Sequence, residues 1–264
     1  MLLVNVIVQY NPYGRMGNRM FQYAFGYILA KKGKKELIHD ALPNFGITAS
    51  NNQVRAYEPV IKTFETWGEH DGDVDLLINH KGSIVVNSFV QKSKHYIDHK
   101  DILRDAFNIK ELDTINKDYL VVHVRETDYT QIDKFLGYDF YKSLIDDSGF
   151  TKIKIVTDNS DCDTVKKLAS EGCELVTEGY VDKFEFHSNK RSIGDFKTLL
   201  YSENIALSQS SFSWWAAFLG YHKKIIFPFS TKVDMWPIEP GKDDVDLFFD
   251  FNNTSAKYIY EYTL

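Results

Sequence analysis

The chain opens on a near-continuous apolar run, Leu2 to Tyr10, that ends at Asn11-Pro12-Tyr13-Gly14. An apolar run closed by a turn signal predicts a buried strand. Behind it, Phe21, Ala24, Phe25, Ile28 and Leu29 recur at the spacing of one helix face, and Gly33 marks the expected stop. Residues 41–82 are polar and weakly periodic, with Pro43, Pro59 and several glycines, and are the least readable stretch of the chain. SIVVNSF (83–89) predicts a strand and His95 to Phe107 a helix. From Tyr119 the pattern becomes regular. DYLVVHVR, IKIVTD (153–158), CELVT (173–177), NIALS (204–208) and KIIFPF (224–229) predict strands. Between them Asp139–Ile145, Thr164–Ala169, Ile193–Tyr201 and Trp214–Leu219 predict helices. Strands alternating with helices indicate a parallel sheet covered on both faces. The polar stretch Lys110 to Asp118 places a boundary there, dividing an N-terminal α/β domain (1–115) from a C-terminal one (116–264).

Composition narrows the classes. With 44% hydrophobic and 26% charged residues, the 264-residue chain has an ordinary globular balance, which excludes wholesale disorder. Its formal charge of −6 argues against a general nucleic-acid binder, which needs a basic face. Phosphate, if held, is held by a local site. The two cysteines, Cys162 and Cys173, make no disulfide framework and no zinc pattern. No segment reaches the ~18 apolar residues of a membrane span, and no signal peptide precedes the first strand. A soluble protein of a reducing, cytoplasmic interior without an integral membrane segment is the expectation. The aromatic share, 15%, fits either a thick core or a sugar-stacking site.

Candidate chemistry gathers where strands end, which is where open α/β sheets bind ligands. VVHVRETDY brings His123, Arg125 and Asp128 to one such end. Arg offers a planar fork of donors suited to phosphate, and His can donate or accept beside it. The same residues equally suit a strand-end Arg–Asp ion pair bracing the loop. In NIALSQSSFSWWAAFLG, Ser208, Ser210, Ser211 and Ser213 fall within six residues at a helix start. One serine there is an ordinary N-cap; four exceed that need, and with the helix N–H groups they suit a pyrophosphate. Trp214 and Trp215 suit the core better than a sugar platform. Asp158, at the end of KIVTD, could accept both N1–H and N2–H of guanine, although an N-cap for the next helix is the simpler reading.

Two further segments complete the inventory. In YGRMGNRMFQYAFGY, Gly14 and Gly17 frame a tight loop with Arg15, Asn18 and Arg19 as donors. It is neither a Walker loop nor a GxGxxG turn. It reads as a plain strand–turn–helix connection or as a second wall of an anion site. Asp71-Gly-Asp73-Val-Asp75 opens like a calcium loop, but Leu76 and Gly82 stand where that loop needs Gly and Glu. No metal is expected.

Taken together, the motifs resemble the α-1,2-fucosyltransferases of glycosyltransferase family 11. YGRMGNRMFQYA is similar to that family's G-x-x-G-N-Q-M-F-Q-Y-A loop, HVRETDY to its H-x-R-R-x-D-Y motif, and SQSSFSWWAAFLG to its S-x-S-S-F-S-W-W-A-A segment. All three occur in the family's order. The resemblance implies a GT-B-like α/β architecture, two facing Rossmann-like domains with the donor site in the cleft and the acceptor on the N-terminal side. It implies an inverting, metal-independent, cofactor-free transfer of L-fucose from GDP-β-L-fucose to a hydroxyl of a glycan acceptor, with an α-1,2 linkage. On that basis Arg125 and its neighbour His123 bind the donor phosphates. Ser210, Ser211, Phe212 and Ser213 lie along the pyrophosphate and fucose, Asp158 reads guanine, and Gly14, Gly17 and Asn18 belong to the N-terminal loop.

The chain departs from the pattern at Glu126, which replaces the second Arg, at Thr127, and at Arg19, which replaces Gln. Arg125 and Asp128 are the expected catalytic pair: Arg125 stabilises departing GDP, and Asp128 serves as base or orients Arg125. The departures keep two alternatives open, a transferase using another GDP-deoxyhexose such as GDP-rhamnose, and a non-catalytic nucleotide- or glycan-binding module.

Overall fold

The structure, a computed structural model, describes residues 5–10, 14–50, 60–64, 74–87, 89–110, 113–126, 136–177, 190–230 and 258–262. These form two compact units, one holding the described residues up to Lys110 and the other the described residues from Asp113 onward. In the first, β1 (Asn5–Val8), β2 (Glu36–His39), β3 (Val60–Phe64) and β4 (Ser83–Val86) make a parallel sheet in the order β2-β1-β4-β3. β1 and β4 are buried at every position, which is why both read as unbroken apolar runs.

Helix α1 (Met16–Gly33) starts five residues before the periodic face predicts it and buries nearly its whole circumference, Gln22 and Tyr23 included. Gly26 permits this approach, since a Cβ there would stand 2.3 Å from Val8 Cγ2. The stop lies at Gly33, as the sequence suggests, but the left-handed residue is Lys34 (φ 52°). Lys31 and Lys32 complement the helix's negative end. Within 41–82, the stretch whose pattern is least readable, the described residues include β3 and α2 (Val74–Ile78). The expected helix over 95–107 is shorter. Two 3₁₀ turns, Ser93–His95 and Ile97–His99, precede α3 (Lys100–Ala106), and His99 (φ −124°, ψ 14°) stands outside helical geometry at its start.

The second unit follows the predicted alternation closely. β5 (Leu120–Val124), α4 (Gly137–Ser148), β6 (Ile153–Thr157), α5 (Asp163–Ser170), β7 (Glu174–Leu175), α6 (Lys190–Tyr201), β8 (Asn204–Ala206), α7 (Ser211–Leu219), β9 (Lys224–Ser230) and β10 (Tyr258–Tyr262) succeed one another. All six strands are parallel, in the order β10-β9-β8-β5-β6-β7. β7 is two residues long, not the five expected, being an edge strand paired on one side only. The core joins Leu120, Val122 and Val124 of β5 to Phe140, Tyr141 and Leu144 of α4, Ile153 and Ile155 of β6 and Leu168 of α5. Trp214 and Trp215 are 2% and 0% exposed, so both belong to the core. Among the described residues, no helix is long and apolar enough to cross a membrane, and both cysteines are free thiols.

Candidate functional site

In the second sheet β5, β6 and β7 are laid down in one direction and β8, β9 and β10 in the other, so the strand order reverses between β5 and β8. That reversal leaves a crevice at the carboxyl ends of these two neighbours, where doubly wound sheets bind ligands. Arg125 and Glu126 follow β5 and the serine-rich turn follows β8, so the two strongest sequence motifs arrive at the same crevice.

They touch. The half-buried Arg125 donates from Nη1 to Ser210 Oγ at 3.3 Å. Ser210 is also the N-cap of α7, its extended backbone (φ −141°, ψ 130°) letting Oγ accept from Phe212 N at 3.3 Å. Ser213 is wholly buried, and its Oγ lies 3.2 Å from both the Ser208 and the Ser210 carbonyl oxygens, tying the turn to the first helical turn. Ser211 opens the helix. A guanidinium beside the positive end of a helix dipole suits an anion, with donors on two sides.

His123 stands behind this site. It is 4% exposed, its Nδ1 lies 2.7 Å from Ser208 Oγ, and its ring rests against Phe212 with centroids 5.4 Å apart. Phe212 in turn meets Phe196 of α6 at 5.5 Å. Burial, with the Arg125 charge adding, pushes the His123 imidazole down to about 3. It is therefore neutral at pH 7, and it holds the β8–α7 turn against β5 instead of adding a second cation.

The β6 side of the crevice carries the opposite charge. Asp158 is exposed at the end of β6 and accepts from the Glu126 backbone N–H at 3.3 Å. It does not cap the following helix, whose N-cap position is Cys162; the strand-end backbone next door offers it a nearer donor. Glu126 is 3% exposed and takes the Cys162 thiol as a donor. Burial pushes that thiol up to about 11, and the Glu126 and Asp158 carboxylates add to the effect. The fully buried Tyr141 hydroxyl accepts from the Arg125 backbone N–H. The backbone that carries Arg125 is thus anchored from α4 and from β6, contacts that no local motif announces. Asp128 and Thr127 lie outside the described residues.

Gly14, Gly17 and Asn18 sit in the first unit, after β1 and at the head of α1. Gly14 O accepts from Arg19 Nε at 3.0 Å, and Asn18 Oδ1 accepts from Gln91 Nε2 at 2.8 Å. α1 has no side-chain cap and no acidic residue in its first turn. Among the described residues, no group of His, Cys, Asp and Glu is placed to hold a metal ion.

A parallel α/β sheet thus brings a cation and a helix N-terminus together at its switch point, an arrangement whose chemistry suits an anion. No protein-family model matches the chain, and no curated protein sequence matches it. Among solved structures, the chain is similar to the fucosyltransferase NodZ from Bradyrhizobium, at a TM-score of 0.50 and 12% identity over 83% of this chain and 93% of that one. NodZ α-1,6-fucosyltransferase soaked with GDP-fucose follows at a TM-score of 0.49, with 12% identity and the same coverage. POFUT1 in complex with GDP follows at 0.45, with 11% identity over 85% of this chain and 98% of that one. The fold is α/β with parallel sheets and matches that of GT-B fucosyltransferases.

Proposed function

We propose that the chain is an inverting glycosyltransferase that moves L-fucose from GDP-β-L-fucose to a hydroxyl of a glycan acceptor, forming an α-1,2 linkage. The observation that carries the reading is the contact between Arg125 and Ser210 at the β5/β8 crevice. It joins the two motifs that resemble family 11 into one anion site, on a fold shared with a fucosyltransferase.

The chemistry follows from the charges. As the glycosidic bond lengthens, the departing GDP gains negative charge that Arg125, the Ser210 and Ser211 hydroxyls and the α7 amides stabilise in a partly dry crevice. The sugar becomes oxocarbenium-like, and the acceptor hydroxyl attacks its opposite face, which inverts the anomeric centre. Asp128, three residues beyond Arg125, takes the acceptor proton or orients the guanidinium. Asp158, exposed beside the crevice, is the guanine reader. Gly14, Gly17 and Asn18 match the family's N-terminal loop, and no metal takes part.

Calorimetric titration of the purified protein with GDP, GDP-fucose, GDP-mannose and UDP, with and without EDTA, tests the reading. Guanine-selective binding that EDTA leaves unchanged is the expected outcome. Absence of GDP binding, or UDP binding that needs a metal, refutes it. Turnover of GDP-fucose against a galactoside panel then tests donor and linkage.

A further inference from the structure

One side chain in the Ser208–Ser213 turn has no part in the site as described. Gln209 is 4% exposed, and neither Oε1 nor Nε2 of its carboxamide has a hydrogen-bond partner among the described residues. Its neighbours are committed, Ser208 Oγ to His123 and Ser210 Oγ to Arg125 and Phe212 N. The backbone folds tightly about it, with Ser210 N–H donating to Ser208 O at 2.8 Å. The hydroxyls on either side of Gln209 are therefore paired, and its carboxamide has no hydrogen-bond partner among the described residues.

A carboxamide carries one acceptor oxygen and two N–H donors. Burying all of them unpaired is costly, and native proteins rarely retain such a group without a partner that completes it. An apolar side chain of the same length would bury at this place without that cost. What completes an adjacent donor and acceptor is a group that both gives and takes hydrogen bonds. Phosphate only accepts, and would oppose Oε1. Hydroxyls do both, and a pair on neighbouring carbons matches the spacing of an amide's oxygen and nitrogen.

We propose that Gln209 is a specificity-determining residue, its carboxamide pairing with adjacent hydroxyls of the glycosyl group that the donor carries on its terminal phosphate. The proposal rests on the reading of the β5/β8 crevice as a GDP-sugar site. Gln209 lies at that crevice between the two serines bonded to the end of β5, so a hydroxyl that meets it belongs to a sugar next to the phosphates. The two such sugars are the donor's glycosyl group and the nucleotide's ribose. GDP carries the second alone, and GDP-fucose carries both.

The test is titration of wild type and Gln209→Met with GDP and with GDP-fucose, alongside thermal unfolding of each protein. Removing a buried unpaired amide leaves the variant at least as stable as wild type, and Gln209→Leu serves if Met packs poorly. GDP affinity is expected to stay within about twofold, while GDP-fucose weakens by about tenfold, or 1.4 kcal/mol. Equal losses for the two ligands would assign Gln209 to the nucleoside and overturn the proposal. An internal water that satisfies the amide predicts a shift in unfolding with both affinities unchanged, which overturns it as well. Wild type that binds neither nucleotide sinks the GDP-sugar reading and this proposal together. Wild type that binds both, with a variant indistinguishable from it, sinks this proposal alone.

Discussion

His123 makes the packing of the β5/β8 crevice measurable through pH. Its imidazole is buried, and burial holds its pKa near 3 against an ordinary value of 6.5. Between those values the unfolded chain binds a proton that the folded chain refuses, so stability rises with pH there. The contribution is whole above pH 6.5 and drains away as pH falls towards 3. A single such group changes the unfolding free energy by up to about 1.4 kcal/mol per pH unit, so between pH 7 and pH 5 this one histidine costs about 2 kcal/mol. For a chain of this size that is roughly 4–8 °C in Tm. Stopping at pH 5 keeps most carboxylates out of the window. His123→Asn is the control, because an amide oxygen can still accept from Ser208 Oγ but does not titrate. Denaturant unfolding of both proteins at pH 7 and pH 5 should show wild type losing about 2 kcal/mol more than the variant. Equal losses would mean that the ring takes up its proton in the folded state, and the account of a neutral, buried His123 bracing the turn would be wrong.

Two other perturbations probe the site and its support. Arg125→Lys keeps the charge but loses the planar fork, so GDP affinity measured by titration should fall about tenfold or more with stability little changed; unchanged affinity would remove Arg125 from the phosphate site. Gly220, which closes α7, leaves room for the His222 ring, whose Nδ1 and Nε2 lie 2.7 Å and 3.0 Å from the Ser202 and Ala216 carbonyl oxygens. A Cβ on Gly220 would stand 2.1 Å from that ring and 2.6 Å from Leu200 O. Gly220→Ala should therefore cost at least about 2 kcal/mol in denaturant unfolding, and a loss under about 0.5 kcal/mol would contradict the packing.

The contrast between the two halves of the chain shows what a linear pattern can carry. β5, β6 and β8 are parallel strands buried on both faces, so burial alone makes them short apolar runs, and the helices between them alternate on cue. Over 41–82 the same cue fails. β3 and α2 are five residues each, too short for either period to declare itself. The helix expected over 95–107 begins only at Lys100, because the apolar spacing runs on through His99, whose backbone (φ −124°, ψ 14°) is not helical, and the pattern does not register that break.

The candidate site divides in the same way. The residue types of the candidate site were legible by themselves, because a strand ending in Arg and a helix opening on serines are local arrangements with local causes. Pairing Arg125 with Ser210 was not legible: the two are 85 residues apart and meet only because the strand order reverses between β5 and β8. Tertiary packing likewise made His123 a neutral brace, turned Glu126 inward to the Cys162 thiol, gave Asp158 the strand-end N–H of Glu126 and left the Gln209 carboxamide buried without a hydrogen-bond partner among the described residues. The sequence by itself determined the alternating α/β pattern and the kinds of chemistry placed at its strand ends, since both follow from near-neighbour patterning. Which of those groups are charged, buried or joined depends on desolvation and on distances across strands, and these exist only once the sheet has formed.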